Sequence, residues 1–229
     1  AFISSHDLQE PLRKIQTFSS RILSEEYDNL STKGMHYFER MQYSALHMQT
    51  LINDLIAYSR TIKTEMKYEN SNLNKIVEEV MLSLDKELKN NKALVEIQNN
   101  CELKIIKFQF HQLLQNLISN AIKFSKPNSN PHIIINSVLI KYNPSNSENY
   151  ILKEDHFHIS VSDNGIGFDP TFKHKIFEVF QRLHEKDEYE GTGIGLTIVR
   201  KIVENHNGII TATSEIDKGA QFDIYFPAN

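Results

Sequence analysis

A single cysteine, Cys101, stands in a chain of 229 residues, and tryptophan is absent. One cysteine excludes an internal disulfide and any CxxC metal site, and it fits a reducing, cytoplasmic compartment. Basic residues are not in excess either: 25 Lys and Arg stand against 29 Asp and Glu, a formal charge of −4. That balance leaves no electrostatic footprint for nucleic acid, which is not expected as a partner. No apolar run approaches the roughly 20 residues that span a bilayer, so no membrane segment is read here. An initiator methionine is lacking too. The sequence opens on Ala1, already in a helical pattern, and reads as a fragment in which no targeting signal can be judged. What remains, 40% hydrophobic and 24% charged residues, is ordinary globular composition, enough for one large domain or two modest ones.

The first 62 residues read as helical. Over residues 2–27, Leu8, Leu12, Ile15, Phe18 and Ile22 crowd onto one face. His6 projects nearly opposite that stripe, and Pro11 interrupts the helix one turn later. Asp28-Asn29 ends the helix, and Ser31 supplies an N-cap for the next, with Leu30 and Met35 as a hydrophobic staple. In that second helix Phe38, Met41, Ala45, Met48, Ile52 and Leu55 follow a seven-residue repeat, the seam of a bundle. Two antiparallel helices cannot bury two such seams alone. A second copy would complete a four-helix bundle, so a homodimer is expected, with packing on the later domain as the alternative.

Residues 63–72, rich in Lys, Glu, Asn and Ser, read as a linker. Beyond it the pattern becomes mixed. Leu73, Ile76, Val77, Val80, Met81, Leu84 and Leu88 make one helical stripe, and strands are expected over 93–99, 103–106 and 131–140, with the partner of the last within 150–162. Helices are expected over 108–124 and 195–206, and 208–213 with 221–226 form a hairpin. The polar run 143–149 reads as a loop tip, and 168–191 as a long connection with little alternation.

Three motifs point to one ligand. At the end of a predicted strand stands S-D-N-G-I-G-F-D, where Asp163 can accept a hydrogen bond from an exocyclic amine such as that of adenine. Gly165 and Gly167 let the backbone turn sharply and a flat ligand lie close. On the helix 108–124, Asn116, Asn120 and Lys123 share one side; amide oxygens suit Mg²⁺, and an ammonium neutralises phosphate. Gly191, Thr192, Gly193, Gly195 and Leu196 belong to E-G-T-G-I-G-L, which opens a helix and offers bare amides to a phosphate tail. It matches neither G-x-G-x-x-G after a strand nor G-x-x-x-x-G-K. Phe177 and Phe180 in K-I-F-E-V-F sit at the distance of anchors for a mobile lid. Taken singly, these stretches are a turn, a solvated helix face, a loop tip and two core aromatics; their order along the chain argues for one site.

N-L-I-S-N-A-I-K-F-S, D-N-G-I-G-F, I-F-E-V-F and G-T-G-I-G-L, in this order, resemble the catalytic domain of two-component sensor histidine kinases. S-H-D-L-Q-E-P-L resembles their phosphoacceptor motif, in the variant of bacterial phytochrome-related kinases. The resemblance spans essentially the whole chain. It implies an α+β protein: a dimerising phosphotransfer hairpin over 1–62, the linker 63–72, and an ATP-binding α/β sandwich of the GHKL type over 73–229.

By that likeness His6 is the nucleophile that attacks the γ-phosphate of ATP, and Asp7 accepts a hydrogen bond from its other ring nitrogen. Asn120 binds Mg²⁺ with Asn116 beside it, Lys123 lies on the phosphates, and Phe124 is a further ATP-binding residue. Asp163 bonds adenine, and the five motif glycines with Thr192 and Leu196 border pocket and lid. The phosphoryl group would pass to an aspartate on a response regulator receiver domain. Glu10 stands where many members carry Thr or Asn, so weak phosphatase activity toward that partner is expected. Lys107-Phe108-Gln109-Phe110-His111 departs from the acidic helix start of relatives, without a functional account. Two other classes stay open: a nucleotide-binding adaptor without turnover, and an ATPase that hydrolyses instead of transferring.

Overall fold

The computed structural model describes residues 5–63, 67–142, 154–181, 183 and 191–228; for 5–8, 60, 62 and 63 the backbone alone is described. Helix α1 (Ser5–Glu25) runs through Pro11, a single 3-10 turn follows at Tyr27–Asn29, and α2 (Thr32–Lys63) returns antiparallel. Ser31 caps α2, its Oγ accepting from the Gly34 amide at 3.1 Å. Two side-chain bonds set the register: Gln9 donates to Asn53 Oδ1 at 2.9 Å, and Gln42 to Ser20 Oγ at 2.8 Å.

The apolar stripes of this hairpin are only half used. Leu12 and Ala45 are buried, whereas Ile15, Phe18, Met41, Met48 and Leu55 remain exposed, Phe18 by 60%. The seven-residue repeat therefore has one edge turned to α1 and one edge turned outward.

Part of the expected linker is a strand. β1 (Glu69–Asn72) pairs antiparallel with β3 (Glu102–Ile105), although E-N-S-N carries no apolar signal. The stripe expected as one helix is two, α3 (Leu73–Ser83) and α4 (Asp85–Asn90), because Leu84 adopts φ −102°, ψ 12° between them. Asn72 caps α3, accepting from the Lys75 amide at 3.3 Å.

A five-stranded sheet follows in the order β2-β4-β5-β7-β6. Its strands are β2 (Leu94–Gln98), β4 (His132–Ile140), β5 (His156–Asp163), β6 (Ile209–Glu215) and β7 (Gly219–Pro227). Only β2 and β4 are parallel. Helices α3, α5 (Lys107–Lys123) and α6 (Gly195–Asn205) pack together over one face. Phe110, Leu113 and Leu117 of α5 meet Ile133 and Ile135 of β4, Ile159 of β5 and Ile224 of β7 in a core where none is more than 1% exposed. The architecture is an antiparallel helical hairpin followed by a two-layer α/β sandwich. The strand expected within 150–162 is β5, which begins at His156, and the loop 143–149 lies outside the described residues.

Sandwich and hairpin meet at a buried polar joint. The Thr61 carbonyl, in the last turn of α2, accepts from Asn205 Nδ2 at 2.8 Å and from Gln109 Nε2 at 3.3 Å. Asn205 Nδ2 also donates to Gln109 Oε1 at 3.2 Å, and the Tyr68 hydroxyl donates to the Asn205 carbonyl at 2.7 Å. The last carbonyls of a helix have no partner within it, so two amides of the sandwich complete α2. Gln109 belongs to the K-F-Q-F-H stretch, and this contact gives that stretch a structural role.

Candidate functional site

Where α5 ends, β5 ends and α6 begins, the sandwich opens into a cavity of about 660 Å³, inside the range of roughly 300–1,000 Å³ common to small-molecule sites. Asn116, Asn120, Lys123 and Phe124 of α5 line it, as do Asp163, Gly167, Gly191, Thr192, Gly193, Gly195 and Leu196. Residues scattered over eighty positions of sequence are thus on one surface.

Asp163 stands at the last position of β5. Its Oδ1 accepts from the Gly165 amide at 2.8 Å and the Ala220 amide at 3.2 Å. Burial pushes its carboxyl above the usual range, and the two amide bonds oppose that shift. The remaining oxygen takes neither bond, which suits an acceptor for a ligand amine. Gly165 lies behind the cavity wall, where a Cβ would overlap the Phe124 carbonyl. The neighbouring Ile166 amide donates to that same carbonyl at 2.9 Å, tying the strand-end loop to the end of α5.

At the other end of the cavity the second glycine motif meets α5. A Cβ on Gly195 would stand 2.9 Å from Asn116 Oδ1, while Asn116 Nδ2 donates to the Gln112 carbonyl at 2.9 Å. The Lys123 ammonium lies 4.3 Å over the Phe124 ring and against Gly191. One cation, one anion-binding helix start and the free amide of Asn120 therefore surround the same space. Asn120 gives a hard cation a single protein oxygen, which fits Mg²⁺ because that ion keeps several waters and takes phosphate oxygens as further ligands. Among the described residues no cluster of His, Cys, Asp and Glu could hold a metal unaided.

Besides Gly165, two expected residues are not on the cavity. Phe177 is a core residue, 6% exposed and edge-on to Phe222 at 6.4 Å. Phe180 is 62% exposed with φ 62°, a conformation rare for a bulky residue. Its amide donates to the Gly193 carbonyl at 3.1 Å, so it fastens the glycine motif through backbone and not through its ring. Residues 184–190 of the long connection lie outside the described residues. His6 and Asp7 belong to α1, three and two residues before Gln9, whose bond to Asn53 places them near the C-terminal part of α2.

The sequence reading missed two groups. Gly219 has φ 95°, and a Cβ there would overlap the Asp163 carbonyl; its hairpin position D-K-G was a legible turn signal. The second group is on α2. Tyr43, His47, Thr50 and Asp54 close the cavity from the hairpin side. Asp54 accepts a hydrogen bond from the Thr192 hydroxyl, and burial raises its carboxyl pKa against that bond. No local pattern distinguishes these four from any other exposed helix face.

Fold and cavity define a nucleotide-site sandwich carried on a helical hairpin. Residues 105–229 match the family described as Histidine kinase-, DNA gyrase B-, and HSP90-like ATPase, and residues 4–62 match the His Kinase A (phospho-acceptor) domain. The chain belongs to the histidine kinase family, with a phospho-acceptor hairpin joined to a GHKL-type ATPase domain. It is 34% identical over 227 residues to cyanobacterial phytochrome A of Nostoc sp., and 32% identical over 227 residues to the phytochrome-like protein Cph1 of Synechocystis sp.. Each match takes in 99% of the chain and 28% of the relative. Among solved structures, full-length ShkA in complex with AMPPNP superposes with a TM-score of 0.67 at 21% identity, covering 97% of this chain and 44% of that one. The Acinetobacter baumannii histidine kinase AdeS gives 0.62 at 20% identity, covering 96% and 98%. No helix among the described residues is long and apolar enough to cross a membrane.

Proposed function

We propose that this chain is an ATP-dependent protein-histidine kinase that phosphorylates itself on His6 and passes the phosphoryl group to an aspartate of a response regulator receiver domain. The observation that carries the reading is the convergence of Asp163, Asn120, Lys123 and the second glycine motif on one cavity beside a hairpin that holds His6. Asp163 accepts from the adenine amine, the start of α6 and Lys123 hold the phosphate tail, and Asn116 braces Gly195. Asn120 would hold Mg²⁺, which would neutralise phosphate charge when bound. A neutral His6 nitrogen attacks the γ-phosphorus, the bond to the β-γ bridging oxygen breaks, and ADP leaves. Asp7 accepts from the other ring nitrogen and so keeps the attacking one unprotonated.

The active form is a homodimer: the outward edge formed by Ile15, Phe18, Met41, Met48 and Leu55 is the surface a second hairpin covers. Residues 1–62 act as the phosphotransfer hairpin and 73–229 as the nucleotide unit. Glu10, paired with Lys14 at 2.8 Å, keeps a carboxylate near the acceptor, so the kinase removes phosphate from its partner slowly. The test is incubation with γ-labelled ATP and Mg²⁺. Acid-labile, alkali-stable label that chases onto a receiver domain is expected, and it falls below about pH 6, where imidazole is protonated. Steady phosphate release without bound label would instead make the chain a hydrolase.

A further inference from the structure

The nucleotide unit rests on α2 through α6, whereas His6 is carried by α1. Two polar contacts hold it there. The amide joint at Thr61 lies next to the point where the chain passes from hairpin to sandwich. Asp54 lies seven residues earlier, about 10 Å along the helix, and holds the far side of the glycine motif through Thr192.

The chemistry of that second contact is exclusive. A threonine hydroxyl has one proton to donate. In this arrangement Thr192 gives it to Asp54 and accepts from the Ile194 amide at 3.3 Å, so none is left for a phosphate oxygen. Thr192 is 8% exposed, and water does not readily substitute for Asp54. The Asp54 carboxylate also adds negative charge to the wall that faces Lys123 and Gly191, where a triphosphate tail would lie.

We propose that Asp54 is a latch that competes with nucleotide phosphates for Thr192, so that the docked arrangement is a low-affinity resting state and phosphate binding frees the nucleotide unit to reach His6. The proposal rests on the reading of the cavity as an ATP site. It makes α2 a regulator of nucleotide affinity, and linkage makes the effect reciprocal: whatever factor docking takes from ATP affinity, ATP takes from docking.

The experiment is calorimetric titration of the chain with a non-hydrolysable ATP analogue, beside initial rates of His6 labelling. Asp54→Ala should bind the analogue about fivefold tighter or more, and label faster at saturating ATP. Asp54→Asn, which keeps an acceptor but no charge, should fall between wild type and Asp54→Ala, and it carries the test if the alanine variant does not fold. In a Thr192→Val background, Asp54→Ala should gain less than it does in the wild-type background, since the shared proton is already gone and only the effect of charge is left. Unchanged or weaker binding by both Asp54 variants would overturn the latch while leaving the ATP site standing. An equal gain in the Thr192→Val background would also overturn it, by showing charge alone at work. No binding by wild type would remove the ATP reading itself, and the latch with it.

Discussion

Replacing Asp163 by asparagine should move two observables in opposite directions. Asparagine has the same shape, and its Oδ1 can still accept from the Gly165 and Ala220 amides that hold the aspartate. What it loses is charge and a free acceptor. For nucleotide binding, a lost hydrogen bond to a charged acceptor is worth about 1.5–3 kcal/mol, on the order of 10- to 100-fold in affinity. For stability the sign is reversed. Burial raises the folded-state pKa of Asp163 above its ordinary value, so the fold disfavours its ionised form. That cost is absent below the unfolded value of about 3.9, grows as pH rises from there through the folded value, and is full above it. At neutral pH, Asp163→Asn should therefore melt at a higher temperature than wild type without nucleotide, with the gain shrinking as pH falls. Calorimetric titration with an ATP analogue and ligand-free thermal melts across pH make the comparison. Wild-type affinity in the variant would refute the adenine role, and a lower melting temperature at neutral pH would refute the burial argument.

Four more substitutions separate positions that look alike in sequence. Gly219→Ala forces a positive φ and an overlap with the Asp163 carbonyl, which should cost about 3 kcal/mol or more in urea unfolding and weaken nucleotide binding with it. Phe177→Ala should lose about 3–5 kcal/mol, whereas the exposed Phe180→Ala should change stability by less than about 1 kcal/mol; equal losses would contradict their placement. Asn205→Ala removes the shorter of the two amide bonds to the Thr61 carbonyl, and a loss of about 1–3 kcal/mol in the same assay is expected.

Much of this molecule is readable from residue order because its signals are local. The stripe Phe110, Leu113, Leu117 announces α5, and a helix with that face buried turns Asn116, Asn120 and Lys123 toward one side. Two glycine motifs announce tight backbone, and at Gly167 (φ 63°) and Gly193 (φ 73°) the chain does take left-handed turns. Failures occur where a partner distant in sequence decides. E-N-S-N becomes β1 only because β3 offers it a ladder, so polar residues at 69–72 looked like linker. Leu84 keeps the apolar spacing of a continuous helix, yet the chain turns there so that both Leu84 and Leu88 reach the core. Phe177 and Phe180 are three residues apart with the same side chain, and only the fold assigns one to the core and the other to solvent. Tyr43, His47, Thr50 and Asp54 share a helical face without an apolar signature, so nothing before the fold joins them to a cavity built mostly from residues 116 to 222.

If His6 receives the γ-phosphoryl group of a nucleotide held beside Asp163 and Asn120, the mass of the tryptic peptides after incubation with ATP and Mg²⁺ will show it, wild type beside His6→Gln, with phosphohistidine-preserving alkaline handling. A phosphoryl group on His6 in wild type, and no phosphorylated peptide in His6→Gln despite unchanged affinity for the ATP analogue, is the predicted result. Equal phosphorylation of the two proteins would contradict the account, as would unmodified His6 in a wild-type protein that binds the analogue.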